Sequence, residues 1–186
     1  MKNKKSDYVL SQIEEGSKTR PLPIVGIRKG RFLEFLIKKY KSKNVLEIGT
    51  LVGYSAILIS RNMNKGRLTT LEINPKNVSK ARINLEDAGI ENSKVMTGDA
   101  KKIIPKLKEK FDFVFIDAEK KEYIHYLRLL KQNKLIDSGT MILADNVKIF
   151  AEEMKDYLDY VRNSKDYKSE YYEFGKDAME LTIKLV

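Results

Sequence analysis

The chain has 186 residues, a length that suits one domain spanning residues 1–186 with a sizeable core of its own. Hydrophobic residues at 42% and charged residues at 33% fit a globular protein, and no apolar run approaches the roughly 18 residues needed to cross a bilayer, so no membrane partner is expected. The absence of cysteine excludes disulfides and cysteine–zinc sites and fits a reducing, cytoplasmic location.

The N-terminal stretch MKNKKSDYVLSQIEEGSK is basic without an apolar centre, so it does not read as a secretory signal. Residues 1–20 read as a basic, partly mobile segment. Residues 1–46 hold 12 Lys and Arg against 4 Asp and Glu, most of the net charge of +10. Such a segment can attract phosphates or anionic ligands; a lysine-rich solvated face is the plainer reading.

Residues 29–40 (KGRFLEFLIKKY) place Phe32, Leu33, Phe35, Leu36 and Ile37 on a broad apolar helical face. Strands are expected at 44–49, 67–72, 93–97, 111–117 and 140–145, with helices at 54–63, 75–88, 101–109 and 121–133 between them. Pro75 suits a first helical turn and Gly89 a helix end. This alternation predicts an α/β fold with a mostly parallel sheet covered by helices on both faces. A helix at 148–162 then breaks the alternation. Strand-like runs at 169–174 and 180–186, separated by the turn Gly175-Lys176-Asp177, predict a C-terminal antiparallel hairpin and a seven-stranded sheet.

The segment VLEIGTLVGYS (45–55) joins a buried strand to a glycine turn and a helix. In open α/β sheets ligands sit at the carboxyl ends of the strands, where Gly49 and Gly53 let backbone approach them. Glu47 precedes the turn. Glu72 falls 19 residues after Gly53, about where an acid grips ribose hydroxyls. A dinucleotide fingerprint would need glycine at Leu51 and Tyr54, which disfavours a nicotinamide dehydrogenase. The E-x-G-x-x-x-G form suits a nucleoside ligand without phosphates, such as S-adenosylmethionine. Gly98-Asp99-Ala100 puts an acid and backbone amides near the adenine, or caps a helix with Asp99, or both.

Asp117 and Asp145 end two further strands, and Asn146 follows the second. Two carboxylates and an amide oxygen on one rim are hard donors that suit Mg²⁺; helix capping is the alternative. Lys120 stands three residues beyond Asp117, as a base or as an ordinary solvated charge. His125, the single histidine, lacks the partners for a zinc or serine triad and reads as structural. The tyrosines at 123, 126, 157, 160, 167, 171 and 172 read mainly as packing and surface residues, with one or two available to an acceptor pocket.

Taken together, VLEIGTLVGYSA, LEINP, TGDAKKIIP, FDFVFIDAEKKEY and ILADNV resemble the cation-dependent O-methyltransferases of the catechol and caffeoyl-coenzyme A type. The likeness covers roughly residues 21–150, and the terminal hairpin also fits. It implies a seven-stranded Rossmann-like methyltransferase fold that uses S-adenosylmethionine and Mg²⁺, or another divalent ion such as Mn²⁺ or Ca²⁺. It implies that Gly49, Gly53 and Ser55 line the methionine part, with Val25 and Gly26 as an upstream backbone contact. By the same likeness Glu47 belongs to the cofactor loop, Glu72 binds the ribose and Asp99 and Ala100 meet the adenine. Asp117, Asp145 and Asn146 match the metal ligands, Asp117 also bordering the cofactor, and Lys120 matches the base.

Two departures stand out. VKIFAEEMKDYL follows Asp145-Asn146 without the Trp- and Gly-bearing insertion of the small-phenol enzymes, and Glu119 replaces an aromatic wall. Both disfavour a flat catechol-like substrate and suggest a more open site with room for a larger acceptor. The expected partner is a small hydroxyl-bearing acceptor. Transfer RNA with a hydroxylated uridine is the alternative acceptor, and a non-catalytic RNA-binding protein is the alternative outside enzymes. A homodimer, frequent in such enzymes, stays open.

Overall fold

The computed structural model describes residues 2–186. Two helices, α1 (Lys2–Thr19) and α2 (Gly26–Tyr40), precede an alternating run: β1 (Asn44–Ile48), α3 (Tyr54–Arg61), β2 (Arg67–Glu72), α4 (Pro75–Asp87), β3 (Ser93–Thr97), α5 (Ala100–Ile103), β4 (Phe111–Ile116), α6 (Tyr123–Gln132) and β5 (Ile136–Asp145). Helix α7 (Lys155–Asn163) and strands β6 (Tyr167–Phe174) and β7 (Asp177–Lys184) complete the chain. The seven strands form one sheet in the order β3-β2-β1-β4-β5-β7-β6. Strands β1 to β5 pair in parallel; β7 runs antiparallel between β5 and β6. This is the Rossmann-like sheet with a terminal hairpin that the sequence predicts.

Successive residues of a strand face opposite sides, and here both sides are dry. Val45, Phe113 and Phe115 point into one apolar cluster with α1, α2, α3 and α4. Leu46, Val114 and Ile116 point into the other, with α5, α6 and α7. A sheet covered on both faces explains why these strands read as nearly unbroken apolar runs.

Several expectations need correction. Residues 2–19, expected as a partly mobile segment, form helix α1. Val9, Leu10 and Ile13 bury its apolar face in the core, and Arg61 binds Asp7 at 2.5 Å. Phe35 stands 52% exposed rather than facing the core; the buried side of α2 is Leu33, Leu36 and Ile37. The helix expected at 101–109 stops at Ile103, where Pro105 forces a short 3-10 turn, Ile104–Lys106. Strand β5 starts at Ile136, four residues early, because the polar, Gly139-containing start hides a strand with a register shift opposite Phe111 and Phe113. Residues 147–154 are mainly turns, so α7 begins at Lys155 rather than 148. Among the described residues no helix is long and apolar enough to cross a membrane.

Candidate functional site

From β1 the chain moves outward to β2 and β3, then returns to the other side of β1 as β4. The strand order reverses there, and a crevice opens at the carboxyl ends of β1 and β4. A cleft of about 730 Å³ occupies this position. A second cleft of about 830 Å³, beside α1 and α4, contains none of the expected site residues.

One wall of the cleft is the loop after β1. Gly49 has φ +101°, and a Cβ there would sit 2.0 Å from the carbonyl oxygen of Asp117. Only glycine allows the two strand ends to meet this closely. Leu51, at φ +49°, donates its backbone N–H to Glu72 Oε2 at 2.8 Å. The other Glu72 oxygen accepts the Asn74 N–H at 2.9 Å. The end of β2 therefore clamps the loop of β1 while its carboxylate still borders the cleft. Ser55, in the first turn of α3, and Val25, just before α2, also line it. Asp99 is a helix cap at the edge of the cleft. Its side chain caps the Lys101 N–H at 2.8 Å, and Asp99 and Ala100 both border the cleft.

The opposite wall gathers Asp117, Lys120, Asp145 and Asn146. Lys120 Nζ donates to Asp117 Oδ1 at 2.9 Å and to the Tyr123 hydroxyl at 3.0 Å. Tyr123 is fully buried and donates to the Ile116 carbonyl at 3.1 Å, which anchors the lysine to the end of β4. Asp145 is 1% exposed. Its Oδ1 accepts Lys29 Nζ at 2.6 Å and the Asn146 N–H at 2.7 Å. Burial, and then the nearby Asp117 charge, push the Asp145 carboxyl above the usual carboxylate range, with Lys29 opposing them. Each of the two acids holds a lysine ammonium, Lys120 on Asp117 at 2.9 Å and Lys29 on Asp145 at 2.6 Å. Among the described residues no three His, Cys, Asp or Glu side chains cluster to hold a metal. Asp117, Asp145 and the Asn146 amide border the cleft together, and two carboxylates with an amide oxygen are a hard-oxygen set whose chemistry would fit a Mg²⁺-like ion.

Three expected residues lie off the cleft. Gly53 (φ +87°) packs against Ala81 behind the loop, and Gly26 (φ +73°) begins α2 next to Val25. Glu47 is fully buried beneath the loop. It accepts the Thr70 hydroxyl at 2.5 Å, Thr70 hydroxyl-bonds to Thr50 at 2.5 Å, and Glu47 Oε1 has no partner. Burial above all, then the Asp117 and Glu72 charges, raise its carboxyl to about 7, while the Ser55 and Thr70 hydroxyls lower it. Its position is one of support for the loop.

Other lining residues escaped the sequence reading. Pro23 and Ile24 precede Val25, Asn77 projects from α4, and Ile149 and Phe150 follow the Asp145-Asn146 turn. Of the tyrosines, Tyr54 and Tyr126 border the cleft. His125 is exposed on α6, 3.2 Å from Glu122, and away from this lining. The lining is acidic: Glu72, Asp99, Asp117, Glu119 and Asp145 face Lys120 alone, in a chain whose net charge is +10.

The family model for O-methyltransferases matches residues 3–180. Catechol O-methyltransferase B of Danio rerio is 38% identical over 174 residues, covering 87% of this chain and 65% of its own length. A catechol O-methyltransferase of Niastella koreensis is 41% identical over 133 residues, 68% of this chain and 59% of its own. The chain thus spans somewhat less than two thirds of these two relatives. The crystal structure of an O-methyltransferase from Bacillus cereus in complex with SAH superposes with a TM-score of 0.84 at 27% identity, covering 95% of this chain and 90% of that one. The motifs, the strand order and these matches agree: the chain belongs to the O-methyltransferase family.

Proposed function

We propose that the protein is an S-adenosylmethionine-dependent, divalent-metal-dependent O-methyltransferase acting on a hydroxyl of a small acceptor. The observation that carries this reading is the gathering of Asp117, Lys120, Asp145 and Asn146 on one wall of a cleft whose other wall is the Gly49–Glu72 loop system. The likeness to catechol O-methyltransferases and to a SAH-bound neighbour supports it.

S-adenosylmethionine supplies an activated methyl group, and Glu72, Ser55, Val25, Asp99 and Ala100 are the residues placed to hold it. A divalent ion held by Asp117, Asp145 and Asn146 supplies Lewis-acid stabilisation of negative charge on an acceptor oxygen. In its neutral amine form Lys120 would accept the hydroxyl proton at Nζ and become the ammonium that Asp117 and Tyr123 hold on the rim. Ile149 and Phe150 offer an apolar wall at the mouth, 53% and 36% exposed. The chain's own contribution is alignment of an acceptor with an apolar face and a fixed electrostatic field.

Transfer RNA is the less favoured acceptor. Glu119 stands exposed on the lining without an ion pair among the described residues, a poor neighbour for a phosphate backbone. A methyl-transfer screen with labelled cofactor, using catechols, phenolic esters and bulk transfer RNA with and without Mg²⁺, separates these cases. Metal-dependent labelling of a small hydroxyl acceptor is the expected result. No labelling of any acceptor, together with no binding of S-adenosylhomocysteine at millimolar concentration, overturns the reading.

A further inference from the structure

Asp177 begins β7, directly after the hairpin turn Gly175-Lys176, and was legible only as a turn residue. In the fold it reaches across the antiparallel β5–β7 pair to the rim of the cleft. Its Oδ2 accepts the side-chain Nδ2 of Asn146 at 2.7 Å and Lys29 Nζ at 2.9 Å. The same Lys29 ammonium binds Asp145 Oδ1 at 2.6 Å. Residues from α2, β5 and β7 thus close one network, and the side chains of Lys29 and Asp177 are only 13% and 14% exposed.

A carboxylate at neutral pH can only accept hydrogen bonds. Asp177 therefore dictates which end of the Asn146 amide turns toward it: the NH₂ end. The carbonyl oxygen must point the opposite way. Asn146 itself has φ +66°, an uncommon backbone conformation that asparagine tolerates and that persists where surrounding contacts hold it. Without an acceptor at position 177 the amide is free to rotate by half a turn and present NH₂, a donor, to a cation.

We propose that Asp177 is a positioning residue that selects the Asn146 rotamer whose Oδ1 faces the divalent ion, with Lys29 locking Asp177 and Asp145 in register. This rests on the metal reading proposed above. Partners of this kind outside the ligand set typically govern metal affinity by about 10- to 100-fold. Charge alone gives a different signature, since removing the Asp177 carboxylate by any substitution removes the same charge. Orientation depends instead on whether an acceptor oxygen remains.

The test is Mn²⁺ affinity, read by electron paramagnetic resonance on the full chain, for wild type, Asp177→Asn, Asp177→Ala and Asp177→Ser. Asparagine keeps an acceptor oxygen of the same reach without the charge; alanine has none, and the serine hydroxyl is too short to reach Asn146. The inference expects Asp177→Asn within about threefold of wild type and both truncations weaker by about tenfold or more. Affinity for S-adenosylhomocysteine without metal should stay the same in all folded variants, and the serine variant carries the comparison if alanine fails to fold. Truncations that bind Mn²⁺ like wild type overturn the inference, and so does an Asp177→Asn variant as weak as the truncations. Wild-type protein that binds no Mn²⁺ at millimolar concentration overturns the metal reading itself, a different and distinguishable failure.

Discussion

Glu72 accepts the backbone N–H of Leu51 at 2.8 Å, so a carboxylate at the end of β2 holds the loop that leaves β1. The residue has two duties. Oε2 is taken by the loop and Oε1 by the Asn74 N–H and, at 3.4 Å, the Asn77 amide, while the residue also lines the cleft. Hydrogen bonds to a charged acceptor contribute about 1.5–3 kcal/mol. Glu72→Ala should therefore weaken S-adenosylhomocysteine binding by at least about tenfold and loosen residues 49–53. Calorimetry measures the first effect and amide hydrogen exchange the second. Affinity within twofold of wild type would show that the acid does not hold the ligand, and unchanged exchange at residues 49–53 that it does not hold the loop.

Gly49 bears a sharper constraint. Its φ of +101° already disfavours a side chain, and the missing Cβ would lie 2.0 Å from the Asp117 carbonyl oxygen. That oxygen belongs to backbone and cannot swing aside. Gly49→Ala should push the ends of β1 and β4 apart and lower stability by more than about 3 kcal/mol. Urea denaturation followed by circular dichroism provides the number. An alanine variant as stable as wild type would mean that the loop packs differently.

Much of this arrangement could be read from the chain because it depends on strand ends. Asp117 and Asp145 close apolar runs, and a parallel sheet brings all such ends to one rim, so their gathering needed no contact information. Glu47 shows where that logic fails. It belongs to the same motif as Gly49, yet strand alternation turns it into the layer beneath the loop, against Thr70. Asp177 and Lys29 failed for another reason. Lys29 meets Asp145 across 116 positions and Asp177 across 148, and no local periodicity pairs residues so distant. Ile149 and Phe150 were read as part of a helix, because the turns at 147–154 carry no glycine or proline to mark them.

Lys120 is the proposed base, and its neighbours make the proposal testable. Asp117 and Tyr123 position Nζ from two sides; methionine at 120 keeps roughly the length of the side chain but has no amine to take a proton. A positioned acid–base group contributes about 10²–10⁴-fold to rate. Lys120→Met should lose kcat within that range while S-adenosylhomocysteine affinity changes little. Lys120→Arg should be similarly slow, since a guanidinium stays protonated. An arginine variant with wild-type kcat would assign position 120 an electrostatic role in place of proton transfer.

Glu47 predicts an unusual pH dependence of stability. Its carboxyl titrates near 4.5 in an unfolded chain and at about 7 in the folded protein, chiefly because burial penalises the charged form. Between those values the folded state binds more protons than the unfolded state, so this group's contribution falls as pH rises through the window. The effect is fully present below pH 4.5 and lost above about 7, with a limit of about 3 kcal/mol at 1.36 kcal/mol per unit. Most paired surface carboxylates act in the opposite direction, which is why the comparison has to be made with a variant. Glu47→Gln removes the titration while keeping the shape. Its unfolding free energy should fall less between pH 5 and pH 8 than that of wild type, as measured by urea denaturation at each pH. Parallel curves for the two proteins would mean that Glu47 already ionises at an ordinary pH inside the fold, and that the unpaired Oε1 finds water or the cofactor loop to solvate it.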